Sequence, residues 1–188
     1  MKRNSVAVVG AAETTKLGLI PDLSVIGLHA DAALNAMADA GLKPSDIDGI
    51  ATAGEYPPAL AAYLGITPRW VDGTGLGGCS FMVHVRHAVA AIEAGACSTV
   101  LITHGESGRS RVGGQTFPPP SVLSAQFEQP YGVFGAFSNF TIPALRYMKA
   151  RGVTEEDLAR VVVIQREWAA MNPRASRRTP TTIDEVLN

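Results

Sequence analysis

Cys79 lies in a glycine-rich segment, residues 71–80 (VDGTGLGGCS), between a short apolar run and a stretch rich in small residues. The pattern predicts a tight turn in which Cys79 opens a helix. A helix start offers unpaired N–H groups and the positive end of the helix dipole, which favour a thiolate and lower the pKa of a cysteine. Gly77 and Gly78 have no Cβ atoms, so they permit a tight turn and leave room for a substrate beside the sulfur. The segment therefore predicts a nucleophilic thiol, with a buried and unreactive cysteine as the alternative.

Three histidines follow this segment within about 25 residues and are candidates for a general base. His84 and His87 fall one turn apart on the helix predicted to follow Cys79, where we expect packed side chains rather than a general base. His104 comes directly after an apolar run, VLIT, and is the better candidate for a pocket residue. We favour a structural role for His104 as well, and keep it as a candidate catalytic residue.

Five of the arginines form two clusters that could contact an anionic ligand. Most such side chains are simply solvated, so each cluster is a candidate phosphate contact and no more. The clusters are Arg109 with Arg111, and Arg174 with Arg177 and Arg178.

The composition excludes several classes of function. The 188 residues carry a formal charge of −1, which leaves no basic stripe for nucleic acid. The two cysteines, Cys79 and Cys97, show neither C-x-x-C spacing nor a histidine pattern, so no metal site is expected. No apolar run approaches the roughly 20 residues that span a bilayer, and no leader peptide is evident. We expect a soluble, cytoplasmic protein.

The elements that must position Cys79 alternate between strand and helix. Ser24 is a plausible N-cap and Gly41 a helix stop, and short β-branched runs separate the helical periods. This alternation predicts an α/β fold with a mostly parallel sheet, in which Cys79 follows the carboxyl end of a strand, where ligands of such sheets bind. The predicted strands are 5–9, 49–53, 69–72 and 99–103, and the predicted helices are 25–40, 57–64 and 80–94.

The character of the chain changes after His104. Residues 105–135 are rich in glycine and proline and show no period, which indicates a long functional loop. Helices are predicted again at 138–151 and 154–171, the second with a capping-type start at Thr154, and Thr182 is expected to cap a short last helix. We therefore predict an α/β core over 1–106 and a loop and helical insert over 107–188.

Several short motifs follow one another along the chain. They are VVGAAET at 8–14, DAGL at 39–42 with DIDG at 46–49, GGCS at 77–80, AAIEAG at 90–95, VLITHGE at 100–106, and YMKARG at 147–152 through NPRA at 172–175. In this order the motifs resemble the thiolase superfamily, in its branch of sterol-carrier-protein-type thiolases and lipid-transfer-like acetyl-CoA acetyltransferases. The resemblance covers essentially the whole chain.

The resemblance implies one half of a thiolase-like fold with a packed nucleophile helix and a helical insert. Cys79 falls where the family holds its acyl-accepting cysteine, so it would attack a CoA thioester, form an acyl-enzyme, and lead to Claisen condensation or thiolysis. CoA would be a substrate and not a permanently bound cofactor. Its contacts would come from Gly77, Gly78 and the cluster Arg174, Arg177 and Arg178.

Two departures from the family pattern open alternatives. Phe81 and Met82 put bulk where the family has glycine after the nucleophile, and the second half, with its catalytic histidine and cysteine, is not in this sequence. One alternative is a thiolase-fold aldolase that cleaves β-hydroxyacyl-CoA with a small OB-fold partner, which Phe81, Met82 and the loop around Tyr131 favour. The other is a non-catalytic module that binds CoA esters or lipids. A homodimer, paired through 69–72, or a complementing subunit is expected to cover the apolar surface that a half-fold leaves open.

Overall fold

The computed structural model of the protein describes residues 5–113 and 122–188. The chain divides into two compact units, Met1–Gly114 and Gln115–Asn188. Each unit is described by itself below.

The described residues of the first unit form a parallel sheet of three strands. These are β1 (Gly49–Thr52), β2 (Trp70–Asp72) and β3 (Val100–Thr103), in the order β2-β1-β3. β1 pairs with both neighbours, Gly49 facing Trp70 on one side and Val100 on the other, and all four of its residues are buried. The predicted α/β architecture and these three predicted strands are confirmed.

Three α-helices of the described residues accompany the sheet: α1 (Val25–Ala40), α2 (Pro57–Leu64) and α3 (Ser80–Glu93). The Ser24 hydroxyl accepts a hydrogen bond from the Gly27 N–H, and Gly41 ends α1 with φ at 69°, as the sequence predicts. Burial of apolar side chains between α1, α2 and the strands supplies the core. The core comprises Ala30, Ala33, Met37, Ile47, Ile50, Leu60, Ala61, Ile66 and Leu101.

α3 is packed on one face only. Its buried residues, Ser80, His84, Ala88 and Ala91, recur at helical spacing and are small or polar. Met82 and Val85, on the remainder of the helix surface, are 74% and 40% exposed. The expectation of a packed nucleophile helix therefore holds for one face of α3.

The predicted strand at 5–9 is wrong for the described chain. These residues join neither the sheet nor a helix, and Val8 and Val9 are 80% and 65% exposed. A short β-branched run becomes a strand only where a neighbouring strand supplies hydrogen-bond partners. The segment is nevertheless held close to α1, since a Cβ atom at Gly10 would lie 2.5 Å from the Ala36 carbonyl oxygen.

The described part of the second unit is helical. It contains α4 (Leu123–Phe127), α5 (Gly135–Arg151), α6 (Glu155–Met171) and α7 (Ile183–Leu187). Capping boxes at Thr154 and Thr182 open the last two helices, as predicted. α5 begins three residues earlier than the sequence predicts, which places Pro143 inside the helix. No helix within the described ranges is long and apolar enough to cross a membrane.

Candidate active site

Cys79 is the N-cap residue of α3, so the predicted placement at a helix start is confirmed. The preceding turn depends on Gly77, whose φ of 68° is a left-handed conformation that suits glycine. The Cys79 thiol is exposed and donates a hydrogen bond to the Leu76 carbonyl oxygen over 3.2 Å. The structure thus presents the sulfur at the positive end of α3. Its role as a nucleophile remains a prediction.

Ser80 holds this turn in place. Its buried hydroxyl donates to the Gly77 carbonyl oxygen over 2.7 Å and accepts from the Leu76 N–H over 2.8 Å. The Ser80 N–H also donates to the Gly77 carbonyl, over 3.0 Å. These bonds satisfy backbone groups that a tight turn would otherwise leave unpaired.

A second set of bonds ties α3 to the end of β2. His84 is fully buried, and its Nε2 donates to the Thr74 carbonyl oxygen over 2.9 Å. His87 lies 2.7 Å from Asp72 through Nδ1 and Oδ2. Burial raises the pKa of the Asp72 carboxyl, but hydrogen bonds from Thr74 and His87 outweigh it and hold that pKa below its usual value. His84 is the packed side chain that the sequence indicates.

Polar side chains meet at the carboxyl end of β3. The buried His29, from α1, lies 2.8 Å from the Thr103 hydroxyl through Nδ1. The His104 ring is 5.9 Å from the His29 ring, edge to face. Burial, with repulsion from a protonated His104, lowers the pKa of His29 to about 4, so His29 is neutral near pH 7. Gly105 permits this packing, because a Cβ there would lie 2.6 Å from the His29 backbone nitrogen.

His104 connects this cluster to the helix of Cys79. Its ring lies 4.8 Å from the ring of Phe81, two residues beyond Cys79. Its Nδ1 is 3.3 Å from the Ala53 carbonyl oxygen, and its Nε2 is 3.6 Å from Glu106 Oε1. Since a carbonyl can only accept, Nδ1 carries the proton in the neutral ring, which leaves the Nε2 lone pair available to a substrate.

The predicted site residues therefore fall into two sets. Cys79, Gly77, Gly78 and His104 belong to the first unit, at the start of α3 and the end of β3. The three arginines of the second cluster belong to the other unit and are exposed; the Arg178 side chain donates to the Ala170 carbonyl oxygen over 3.3 Å. Their contact with CoA remains a prediction.

Sequence reasoning missed the role of His29 and Thr103 around His104. The signal was the three polar residues Thr103, His104 and Glu106 at the end of an apolar strand and just beyond it. His29 carries no such signal, because only the packing of α1 on β3 brings it there. Among the described residues, no group of three or more His, Cys, Asp or Glu side chains could hold a metal ion.

A scan of protein-family models gives no match. Comparison with curated proteins gives a steroid side-chain-cleaving aldolase of Thermomonospora curvata, 30% identical over 98% of this chain and 49% of its own length. The 17-hydroxy-3-oxo-4-pregnene-20-carboxyl-CoA lyase of Mycobacterium tuberculosis is 33% identical over 88% of this chain and 46% of its own. An acetyl-CoA acetyltransferase of Methanothermobacter thermautotrophicus is 29% identical over 97% of this chain and 50% of its own length.

Solved structures agree with these relatives. The Ltp2-ChsH2(DUF35) aldolase superposes with a TM-score of 0.78 at 29% identity, over 97% of this chain and 50% of that one. A monomeric SCP2-thiolase-like protein from Mycobacterium smegmatis shares the fold. It superposes with a TM-score of 0.71 at 23% identity, over 96% of this chain and 38% of that one.

The chain is similar to the thiolase superfamily over nearly its whole length. This similarity confirms the resemblance and the thiolase-like α/β fold that the sequence predicts. The chain spans about half the length of the curated relatives it matches. Those relatives carry the names of three kinds of enzyme, an aldolase, a lyase and an acetyltransferase.

Proposed function

We propose that this chain carries part of the active site of a carbon–carbon lyase that cleaves a β-hydroxyacyl-CoA by a retro-aldol reaction. The observation that carries the proposal is the position of His104, whose Nε2 lies 3.6 Å from Glu106 while its ring contacts Phe81 in the first turn of α3. A relative named an aldolase, a relative named a CoA lyase and an aldolase structure support the same chemistry.

In this reaction His104 is the general base. Its Nε2 takes the proton of the substrate β-hydroxyl, the O–H electrons form a carbonyl, and the bond between the α and β carbons breaks. The electron pair of that bond passes to the thioester as an enolate, and a ketone or aldehyde leaves. Return of the proton to the α carbon completes the step. The Glu106 carboxylate stabilises the imidazolium, and the positive end of α3 favours the enolate oxygen.

A second candidate function is acyl transfer through Cys79, which is the function that the resemblance of the sequence motifs implies. The exposed thiol at the N-cap of α3 supports it. The Cys79 sulfur would attack the thioester carbonyl and release CoA as its thiol, with the acyl group held on the sulfur. A second acyl-CoA carbanion would then take up the acyl group in a condensation. The acetyl-CoA acetyltransferase relative fits this reaction.

In both reactions CoA is a substrate that arrives as a thioester and leaves, with no permanently bound cofactor. Arg174, Arg177 and Arg178 would pair with its phosphates, while Gly77 and Gly78 would leave room for the thioester. A small OB-fold protein is the proposed partner of the lyase, and a solved neighbour that is itself an Ltp2-ChsH2 complex supports a partner subunit. Pairing of two copies through β2 is the alternative arrangement.

Two variants distinguish the two reactions. Each is assayed in the complete protein, together with any partner that it has in the cell. With a 3-hydroxyacyl-CoA substrate, we expect His104→Gln to lower the rate of carbon–carbon cleavage on the order of 100-fold or more. We expect the cleavage rate of Cys79→Ala to stay within about fivefold of the rate of the unaltered protein, because the retro-aldol step needs no acyl-enzyme.

Loss of acyl transfer in Cys79→Ala, with His104→Gln active, would select the acyltransferase instead. A protein that binds the CoA ester and catalyses neither cleavage nor acyl transfer would be a binding module. Mass spectrometry of the released products distinguishes the three outcomes.

A further inference from the structure

His29 is a buried side chain whose presence the stability of the fold does not explain. It is fully buried on α1, and the other buried residues of that helix are apolar. Its Nδ1 bonds to the Thr103 hydroxyl, but its buried Nε2 has no hydrogen-bond partner among the described residues. A buried polar atom without a partner costs free energy that an apolar side chain of similar size would not. A histidine at this position therefore indicates a role other than stability.

The surroundings of His29 indicate what that role is. Its ring meets the ring of His104 edge to face, with the centroids 5.9 Å apart and the planes at 70°. Thr103, which bonds to His29, is the residue before His104. Gly105, the residue after His104, also lies against His29, because a Cβ there would be 2.6 Å from the His29 Cδ2. Three successive residues thus pack on His29, and the middle one carries the proposed catalytic base.

The orientation of the His104 ring decides which of its nitrogens can act as a base. In the structure its Nδ1 lies 3.3 Å from the Ala53 carbonyl oxygen, and its Nε2 lies 3.6 Å from Glu106 Oε1. A ring held with Nδ1 at the Ala53 carbonyl keeps its proton on Nδ1 and its lone pair on Nε2. A ring released from Ala53 can carry the proton on Nε2 and donate it to the Glu106 carboxylate. The Nε2 lone pair is then lost to catalysis.

We propose that His29 is a positioning residue, whose ring is held by Thr103 and in turn keeps Nδ1 of His104 at the Ala53 carbonyl. This inference rests on the proposed lyase, in which Nε2 of His104 is the general base. His29 does not touch the substrate, because its Nε2 is buried and its Nδ1 is bonded to Thr103. It acts by fixing the orientation and the tautomer of the ring beside it.

A double substitution separates this role from a purely structural one. His29→Leu with Thr103→Val replaces the bonded pair by apolar side chains of similar size and removes the unpaired Nε2. We expect its urea midpoint at pH 7 to equal or exceed that of the unaltered protein. With a 3-hydroxyacyl-CoA substrate and the complete protein, kcat for cleavage should fall at least about tenfold, while KM stays within about twofold.

Met37→Ala is the matched control on the same helix. Met37 is 3% exposed and lies in the apolar core. Its substitution should lower the urea midpoint and leave kcat within about twofold of that of the unaltered protein. The two variants therefore have opposite expected signatures. A double variant that is less stable than the unaltered protein would show that His29 serves the fold, and would overturn the proposal.

The reactivity of His104 reports its ring orientation without the lyase assay. Diethylpyrocarbonate attacks an unprotonated imidazole nitrogen, and peptide mass spectrometry follows each histidine separately. In the double variant we expect the rate at His104 to fall at least about threefold, because a proton on Nε2 bonded to Glu106 blocks the attack. His87 is the internal reference, since its side chain is 45% exposed against 38% for His104 and it bonds to Asp72.

Thr103→Val alone provides a milder variant. It should lower kcat at least about threefold, and its addition to His29→Leu should cause no further loss, because Thr103 acts only through the ring that it holds. Additive losses would overturn the proposal, as would an unchanged kcat or an unchanged reactivity of His104 in the double variant. If His104→Gln cleaves the substrate normally while the reactivity of His104 still falls in the double variant, the proposed lyase is wrong and the positioning of His104 by His29 stands.

Discussion

The rings of His104 and Phe81 lie 4.8 Å apart and are tilted by 54° to each other. The contact joins the carboxyl end of β3 to the first turn of α3, the two places where the sequence puts chemically useful side chains. Phe81 is also the residue that departs from the thiolase pattern, which has glycine near this position. The bulk at Phe81 is therefore matched by an aromatic partner, the ring that follows β3.

Gly105 should be intolerant of a side chain, whereas Gly108 should accept one. A Cβ at Gly105 would lie 2.6 Å from both the backbone nitrogen and Cδ2 of His29, while nothing lies within 4 Å of a Cβ at Gly108. We expect Gly105→Ala to lower the free energy of unfolding by about 2 kcal/mol. The free energy of unfolding of the matched control, Gly108→Ala, should stay within about 0.5 kcal/mol of that of the unaltered protein. Urea denaturation measures both, and equal stabilities would contradict the close packing of α1 on β3.

The two glycines before Cys79 should differ in the same way. Gly77 has φ at 68°, so Gly77→Ala should cost about 1 kcal/mol of folding free energy and displace the thiol. Gly78 has no positive φ, and nothing lies within 4 Å of a Cβ built there. Gly78→Ala should therefore fold normally and weaken only the binding of a CoA ester. Thermal unfolding and a binding titration of each variant check this, and normal binding by Gly78→Ala would remove that residue from the substrate site.

His29 should make the protein less stable in mild acid. Burial lowers its folded pKa to about 4, against 6.5 in the unfolded chain, so the unfolded state binds the proton first. The contribution is complete above pH 6.5 and is lost as the pH falls toward 4, up to about 3 kcal/mol. Urea denaturation between pH 7 and pH 4 measures the loss. Nuclear magnetic resonance titration of the ring gives the pKa itself, and an ordinary value near 6.5 would refute the burial argument.

The two cysteines should react with alkylating agents at very different rates. Cys79 is exposed at the start of α3, whereas Cys97 is 3% exposed. Burial first, and then the nearby Asp48 carboxylate, raise the pKa of the Cys97 thiol. Because the thiolate is the reactive form, iodoacetamide at pH 7.5 should label Cys79 at least about 50-fold faster than Cys97. Peptide mass spectrometry measures the two rates, with Cys79→Ser as the control. Comparable rates would show that Cys97 is accessible.

Local patterns were sufficient for most of the elements. The caps at Ser24, Thr154 and Thr182 and the stop at Gly41 lie where the sequence predicts them, because each depends on bonds within a few residues. Three of the four predicted strands form. The run at 5–9 does not, since a strand needs a neighbour that is distant in the chain.

The sequence by itself determined the turn before α3, the place of Cys79 at its start, and the resemblance to the thiolase superfamily. These follow from short-range conformational preferences and from the order of motifs. Only the tertiary structure decided that His29 meets Thr103, that His104 packs on Phe81, and that an apolar groove separates residues 5–10 from β3. These are contacts between elements far apart in the chain, and their geometry depends on how helices pack on the sheet, which no local pattern encodes.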